Sequence, residues 1–561
     1  MAVGPSETPA FNFKKAFLWT EIFRTFQVAL DPRKLLVAAA GILVMSIGWY
    51  LLSRAFITTK PDLKDDTRYG TIAVRAVVGD KKPDGREYTE ADYKLEADRL
   101  YLRDMAEWKT LHNLAGENGR LRTMPWYEYR GPNPFSMLTT IVGGSSVDIK
   151  TEFNEFLVGT VPVLIEPLMK ILLPVFKLLD PNASTLTRLY LLLALIWSVV
   201  TWAFFGGIIT RIAAVQFAGK DRITLMQAVR FVATRYTNYV LSPLVPLGLI
   251  AIIVVVMALY GLLALIPGIG DIVLYGIGMP LVVLGGIVMA ILLVGLIGYP
   301  LMYCTLSTEG SDTFDALSRS YNYVFQAPWS YLWYATVSIV YGAVVTLFVI
   351  FMGSLMVYMG KWAISQAPLS EYTNRKPDYL FIYAPESFGW KELLLKGSPV
   401  EQNVVTVRDE GSKRLYAVYQ DSNPAVATEY RKNLWLVEKI GAGMTTFWLV
   451  LVFMLVIGFS YSYFWSASTM IYLLMRKKVD DTELDEIYIE ESLPETPTMS
   501  PTLPSKPMTP GATTSHLTTS PTASLPVIPA PAVPPAPALP TTVPVVEKPS
   551  EPTPDNDKPN L

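Results

Sequence analysis

Six apolar runs dominate this chain, near Leu35–Leu52, Leu189–Ile209, Val240–Leu265, Met279–Met302, Tyr331–Tyr358 and 444–475. About 20 apolar residues suffice to cross a bilayer as a helix. Of the 561 residues 51% are hydrophobic, and the mean hydropathy is +0.32. The expected fold class is therefore mainly α. It is a polytopic helical membrane bundle of six spans with an interfacial helix, an extracytoplasmic mixed α+β region and a disordered Pro-rich tail.

One unit occurs twice. Thr224-Leu-Met-Gln-Ala-Val-Arg230 leads into the third span, and Asp312-Thr-Phe-Asp-Ala-Leu-Ser318, 88 positions later, leads into the fifth. Gln227 follows Thr224 by three residues and Asp315 follows Asp312 by three. Both spacings suit a helix start, where a side-chain oxygen caps free backbone amides. Ala228 aligns with Ala316, and Val229 with Leu317. Juxtamembrane helices are expected at 224–239 and 312–326 within a block of four spans, 189–358.

Charge placement predicts the topology. Residues 1–34 carry Lys14, Lys15, Arg24, Arg33 and Lys34, which puts the N-terminus in the cytoplasm. No cleavable signal is expected, because no small-residue cleavage site follows an early apolar core. Arg211, Lys220, Arg222, Arg230 and Arg235 mark a second cytoplasmic stretch, and Arg476, Lys477 and Lys478 a third. Residues 157–179 are apolar enough to pass for a span. But Glu166, Lys170 and Lys177 fall within roughly 40° of one another on a helix. Pro162, Pro167 and Pro174 interrupt the same stretch. An interfacial helix with one charged stripe is the preferred reading. Re-entrant and spanning placements are the alternatives.

Two polar regions, 53–156 and 360–439, are expected outside the cytoplasm. In the first, Thr71–Val78 reads as a short strand and Thr89–Leu114 as a helix capped by Thr89 and Asp92. A turn-rich aromatic loop follows, containing Trp126, Arg130 and Phe135. In the second, Pro385–Leu395 reads as a capped helix start, and Asn403–Val407 and Lys413–Tyr419 as two strands. Pro424 opens a helix expected to run on into the sixth span. Residues 476–561 are acidic and then rich in Pro, Thr, Ser and Ala, so a disordered cytoplasmic tail is expected. Its Pro501, Pro504, Pro507 and Pro510 repeat every three residues and would share one edge of a polyproline II helix.

Composition excludes several chemistries. The one cysteine, Cys304, forbids an intrachain disulfide and cysteine-based metal sites. The two histidines, His112 and His516, rule out a histidine-rich metal site. No Ser-His-Asp set, HExxH or phosphate-binding glycine loop is present. No cofactor and no metal is expected, and a net charge of −2 gives no reason to expect nucleic acid. The candidate interaction residues are Trp126, Arg130 and Phe135 in the loop, Glu166, Lys170 and Lys177 on the amphipathic helix, and the four tail prolines. Ser460, Ser462, Ser466, Ser468 and Thr469 give the sixth span a polar face, which suits interhelical hydrogen bonding or a hydrophilic path.

The run from Ser466 to Tyr488 resembles the C-terminal signature of large polytopic inner-membrane proteins of planctomycete-type bacteria. Pro132-Asn-Pro-Phe135 and Ser387-Phe-Gly-Trp390 resemble the same group. The resemblance covers most of residues 35–490. It implies an inner-membrane location but no activity, and no catalytic residue is carried over from it.

The expectation is a non-enzymatic integral membrane scaffold at the inner membrane, both termini cytoplasmic, with membrane lipid and other proteins as partners. Transport of a lipid or another hydrophobic substrate is the alternative. A membrane enzyme using outer carboxylates is the third reading. Spans two to six carry no mid-membrane charge suited to ion coupling, which weighs against a coupled pump.

Overall fold

The computed structural model describes residues 17–489. Excepted are 57–60, 82–85, 115–123, 129, 131–132, 143–148, 181–182, 221, 269, 367–375 and 409–414. The tail prolines Pro501, Pro504, Pro507 and Pro510 lie outside the described residues, as do Lys14 and Lys15. Among the described residues the chain is mainly helical, with six helices of membrane-spanning length and apolarity and one two-stranded sheet. That composition is that of a multi-pass membrane protein.

The first span is α2 (Pro32–Phe56), preceded by α1 (Thr25–Ala29). Three helices follow in the first polar region: α3 (Asp66–Tyr69), α4 (Thr71–Val78) and α5 (Glu90–Leu114). The strand expected over Thr71–Val78 is thus a helix. Val74 is fully buried with Tyr93 and Ala97 of α5, and that docking overrides the weak β preference of a β-branched run. The cap on α5 is as expected, with the Thr89 amide donating to Asp92 at 2.9 Å and the Asp92 amide to Thr89 at 3.3 Å.

Next come α6 (Pro134–Val142) and α7 (Ile149–Leu178), then the second span, α8 (Thr185–Phe217). The duplicated unit follows. In its first copy α9 (Leu225–Thr234) leads into α10 (Tyr236–Gly261). The fourth span, α11 (Met279–Leu296), ends at a break at Ile297 and Gly298, short of the expected Met302. Then α12 (Tyr299–Glu309) leads to the second copy, α13 (Thr313–Gln326) and α14 (Pro328–Ser365). The Gln227 amide donates to Thr224 at 3.2 Å and the Asp315 amide to Asp312 at 2.9 Å. Ala228 and Ala316 are both fully buried in one core cluster, and Val229 and Leu317 both pack against it. The copies are therefore equivalent in packing as well as in sequence.

In the second polar region a 3-10 turn (Ser387–Gly389) precedes α15 (Trp390–Leu395). This helix starts later than expected because Phe388 and Gly389 both have left-handed backbones, φ 56° and 64°. The two expected strands are present as β1 (Gln402–Arg408) and β2 (Leu415–Asp421), antiparallel, with Gln402 opposite Asp421 and Arg408 opposite Leu415. Then α16 (Pro424–Asn433) stops, and the sixth span, α17 (Leu436–Val479), begins anew. Leu434 and Trp435 are extended between them, so the expected unbroken helix is two helices.

The bundle has two distinct ends. Residues 18–34, the C-terminus of α8, α9, α13 and residues 476–489 meet at one, called here the terminal face. Tyr472 at that end donates to Glu309, and Arg211 donates to the carbonyls of Ser307 at 2.7 Å and Tyr488 at 2.9 Å. The Tyr488 amide closes onto the Thr308 carbonyl at 2.7 Å. The acidic stretch expected to start a free tail is therefore docked through Tyr488. At the opposite cap face the two polar regions pack together, as when the Glu386 amide donates to the Trp126 carbonyl at 2.9 Å.

The interior is filled with rings. Trp202 of α8 stacks on Tyr461 of α17 at 4.8 Å, and Tyr303 of α12 stacks on Trp465 of α17 at 5.2 Å. All four are buried. The polar face of α17 is spent on packing. Ser462 donates to the Ala29 carbonyl at 2.8 Å, and Ser466 accepts from Lys34 at 3.3 Å. Ser460, Ser468 and Thr469 bond to their own helix.

Candidate functional site

The loop after α5 builds the site. Pro125 starts a single 3-10 turn (Pro125–Tyr127), a position where its fixed φ suits a helix and its missing amide costs nothing. The turn aims Arg130 inward. Its guanidinium donates to the Pro125 carbonyl at 2.5 Å and to the Ser387 hydroxyl at 3.1 Å. It also pairs with Glu128 and, at 3.4 Å, with Glu166 of α7. Only 6% of Arg130 is exposed. Burial alone would ease proton loss, but Glu128 and Glu166 raise its pKa further and hold it charged.

Two residues on α7 set the other half. Glu166 and Lys170 are one turn apart and pair with each other, both nearly buried. The Lys170 ammonium lies 6.0 Å from the ring centre of Tyr461. Glu166 and Lys170 of the expected charged stripe thus turn inward, because α7 packs along α8, α14 and α17. Two cations, Arg130 and Lys170, face two anions, Glu128 and Glu166, so the enclosed charge balances. Paired, hydrogen-bonded charges can be buried where single ones cannot. Lys177, two turns on, sits in the last turn of α7.

A neutral network lies beside this cluster. Asn133 caps α6 by accepting from the amides of Phe135 at 2.9 Å and Ser136 at 3.2 Å. Its amide donates to the Phe388 carbonyl at 2.8 Å and to Ser354 of α14 at 3.1 Å. Trp390 donates to the same Ser354 at 2.9 Å. A side chain at Gly389 would put its Cβ 3.1 Å from Asn133 Cβ, and the backbone there is already left-handed. So residues 133–135 and 387–390, one stretch from each polar region, form a single packed joint.

Of the residues singled out in the sequence, Trp126, Arg130, Glu166 and Lys170 meet at this junction. Phe135 packs instead on α14, with ring centres 4.9 Å from Tyr358 and 5.9 Å from Phe351. Sequence reading missed Asn133, Ser354, Ser387 and Tyr461 as members. An Asn flanked by prolines at a helix start was a readable cap signal. Nothing marked Ser354.

Among the described residues the junction shows no nucleophile beside a base. Among the described residues no group of three or more His, Cys, Asp or Glu could hold a metal. What the arrangement does chemically is fix two polar regions to α7, α14 and α17. Compared with protein-family models, curated proteins and solved structures, the chain matched none.

Proposed function

We propose that the protein is a non-enzymatic integral membrane scaffold, seated in the inner membrane with both termini in the cytoplasm, that holds partner proteins at its cap face. The observation that carries this reading is the filling of the bundle interior by Trp202, Tyr303, Tyr461 and Trp465. Those rings occupy the volume a solute path along the bundle would need. The cap is joined to the bundle by buried charge and by Asn133, as a rigid platform requires. Arg33, Lys220, Arg222, Arg230, Lys477 and Lys478 at the terminal face suit a cytoplasmic placement. For α7, whose charges face inward, a re-entrant placement fits better than an interfacial one, and it leaves the positive-inside pattern intact.

A second reading, movement of a lipid or other hydrophobic substrate, draws on an apolar crevice of about 100 Å3 between α7, α12, α14 and α17. Leu164, Leu168, Pro300, Ile339 and Phe464 line it. Two measurements separate the readings. Capture of the full chain in mild detergent should bring down partners in fixed stoichiometry, and a solitary protein would count against the scaffold. Lipid flux in proteoliposomes should match protein-free vesicles, and a protein-dependent rate would favour transport.

A further inference from the structure

A cavity of about 680 Å3 opens at the cap face, between residues 376–379, 397–399, the end of α16 and the first turn of α17. Its walls combine two carboxylates, Asp378 and Glu438, with the rings of Tyr379, Tyr430 and Trp435, and Lys376 stands at the margin. Asp378 is 7% exposed and is held by Lys361 of α14 at 3.1 Å. Glu438 accepts from the Trp435 amide at 2.9 Å. The Tyr430 hydroxyl lies within the field of both carboxylates, and its pKa is raised by burial first and then by Asp378 and Glu438.

The cavity's position says what reaches it. Trp435 is 73% exposed, and exposed Leu436, Val437, Ile440, Met444, Phe447 and Trp448 continue from it along α17. This is the start of a candidate membrane span. A tryptophan at such a point sits at headgroup level. Carboxylates among aromatic faces suit an ammonium, which gains both hydrogen bonds and cation–π attraction. A marginal lysine suits a phosphate. One class of molecule carries both groups and an acyl tail for the apolar seam.

We propose that this cavity seats the headgroup of a zwitterionic phospholipid with a primary ammonium. The ammonium lies toward Asp378 and Glu438, the phosphate beside Lys376, and the acyl chains along Leu436, Val437 and Ile440. This assignment stands apart from the scaffold reading.

The test uses the full chain in detergent, stripped of lipid and titrated with phosphatidylethanolamine, phosphatidylcholine or phosphatidylglycerol, with retention read by native mass spectrometry. Phosphatidylethanolamine should be retained about tenfold better than phosphatidylglycerol, and Glu438→Gln should remove about that factor. Glutamine can still cap α17, so the variant should melt like the parent. Lys376→Gln should weaken retention of all three lipids and leave the order unchanged. Equal retention of phosphatidylethanolamine and phosphatidylglycerol, or a preference that survives Glu438→Gln, overturns the proposal. Retention of phosphatidylcholine as strong as phosphatidylethanolamine overturns the primary ammonium. Soluble phosphoethanolamine should displace the bound lipid. If it binds where no lipid is retained, the site serves a soluble amine and the lipid assignment falls.

Discussion

Take the carboxylate from Glu166 and two cations, buried Arg130 and nearly buried Lys170, lose the partner they share. Removing one member of a buried pair costs about 3–5 kcal/mol, mostly as the penalty on the charge left behind. Glu166→Gln should therefore lower unfolding stability in detergent by about that amount. Lys177→Gln, in the last turn of the same helix, should change it by less than about 0.5 kcal/mol. A second residue-scale prediction concerns pH. Two hydrogen bonds from Arg431, at 2.7 and 2.6 Å, hold the Asp421 carboxyl below its usual value of 3.8, with burial opposing them. A depressed folded pKa means the pair stabilises fully above the unfolded value. That stabilisation is lost as pH falls through the lowered one. Hydrogen exchange in β2 and α16 should rise below about pH 4 in the parent. In Asp421→Asn it should be faster at neutral pH and lack that acid step.

At the scale of elements, the duplicated unit rests on two N-caps. Thr224→Ala and Asp312→Ala should each cost about 1 kcal/mol. The caps share no partner, so the double variant should be additive to within about 0.5 kcal/mol by reversible unfolding. These caps, the spans and both strands could be read from the chain because each leaves a signal within a short run of residues: cap spacing, an apolar run, or two-residue alternation. Other elements could not. Thr71–Val78 became a helix through Tyr93 and Ala97, which lie beyond it in sequence. Leu434 and Trp435 break what reads as continuous helix, and no glycine or internal proline announces the break. Glycines on α11 are used unevenly in packing. Gly285 faces Met257 of α10 and Gly295 faces Tyr321 of α13, but nothing lies within 4 Å of a Cβ built at Gly286.

For the whole molecule, topology has a direct test. Cys304 is fully buried, so the natural chain should give no thiol-labelling background. A cysteine placed at exposed Asp98 should react with an impermeant reagent from outside intact cells. One at exposed Lys220 should react only after permeabilisation. Reversed labelling would invert the orientation. Half of the junction was legible at this scale. Glu166 and Lys170 advertised a charged stripe, and Arg130 stood out among aromatics. Their meeting was hidden, because Arg130 reaches Ser387 across 257 positions and Asn133 reaches Ser354 across 221. Local patterns carry no record of such pairs.

The same separations set a schedule. Lys34, fully buried, donates to Ser466, 432 positions later in the chain. A ribosome adding about 5–20 residues per second needs roughly 20–90 s to make that partner. For the last part of that interval Lys34 has Gln216, its nearer partner at 2.9 Å, but no Ser466, and Arg130 waits similarly for Ser387. The bundle closes only when its last helix arrives. Until then the nascent protein must be sheltered by the insertion machinery, and truncation before α17 should leave a chain that quality control removes.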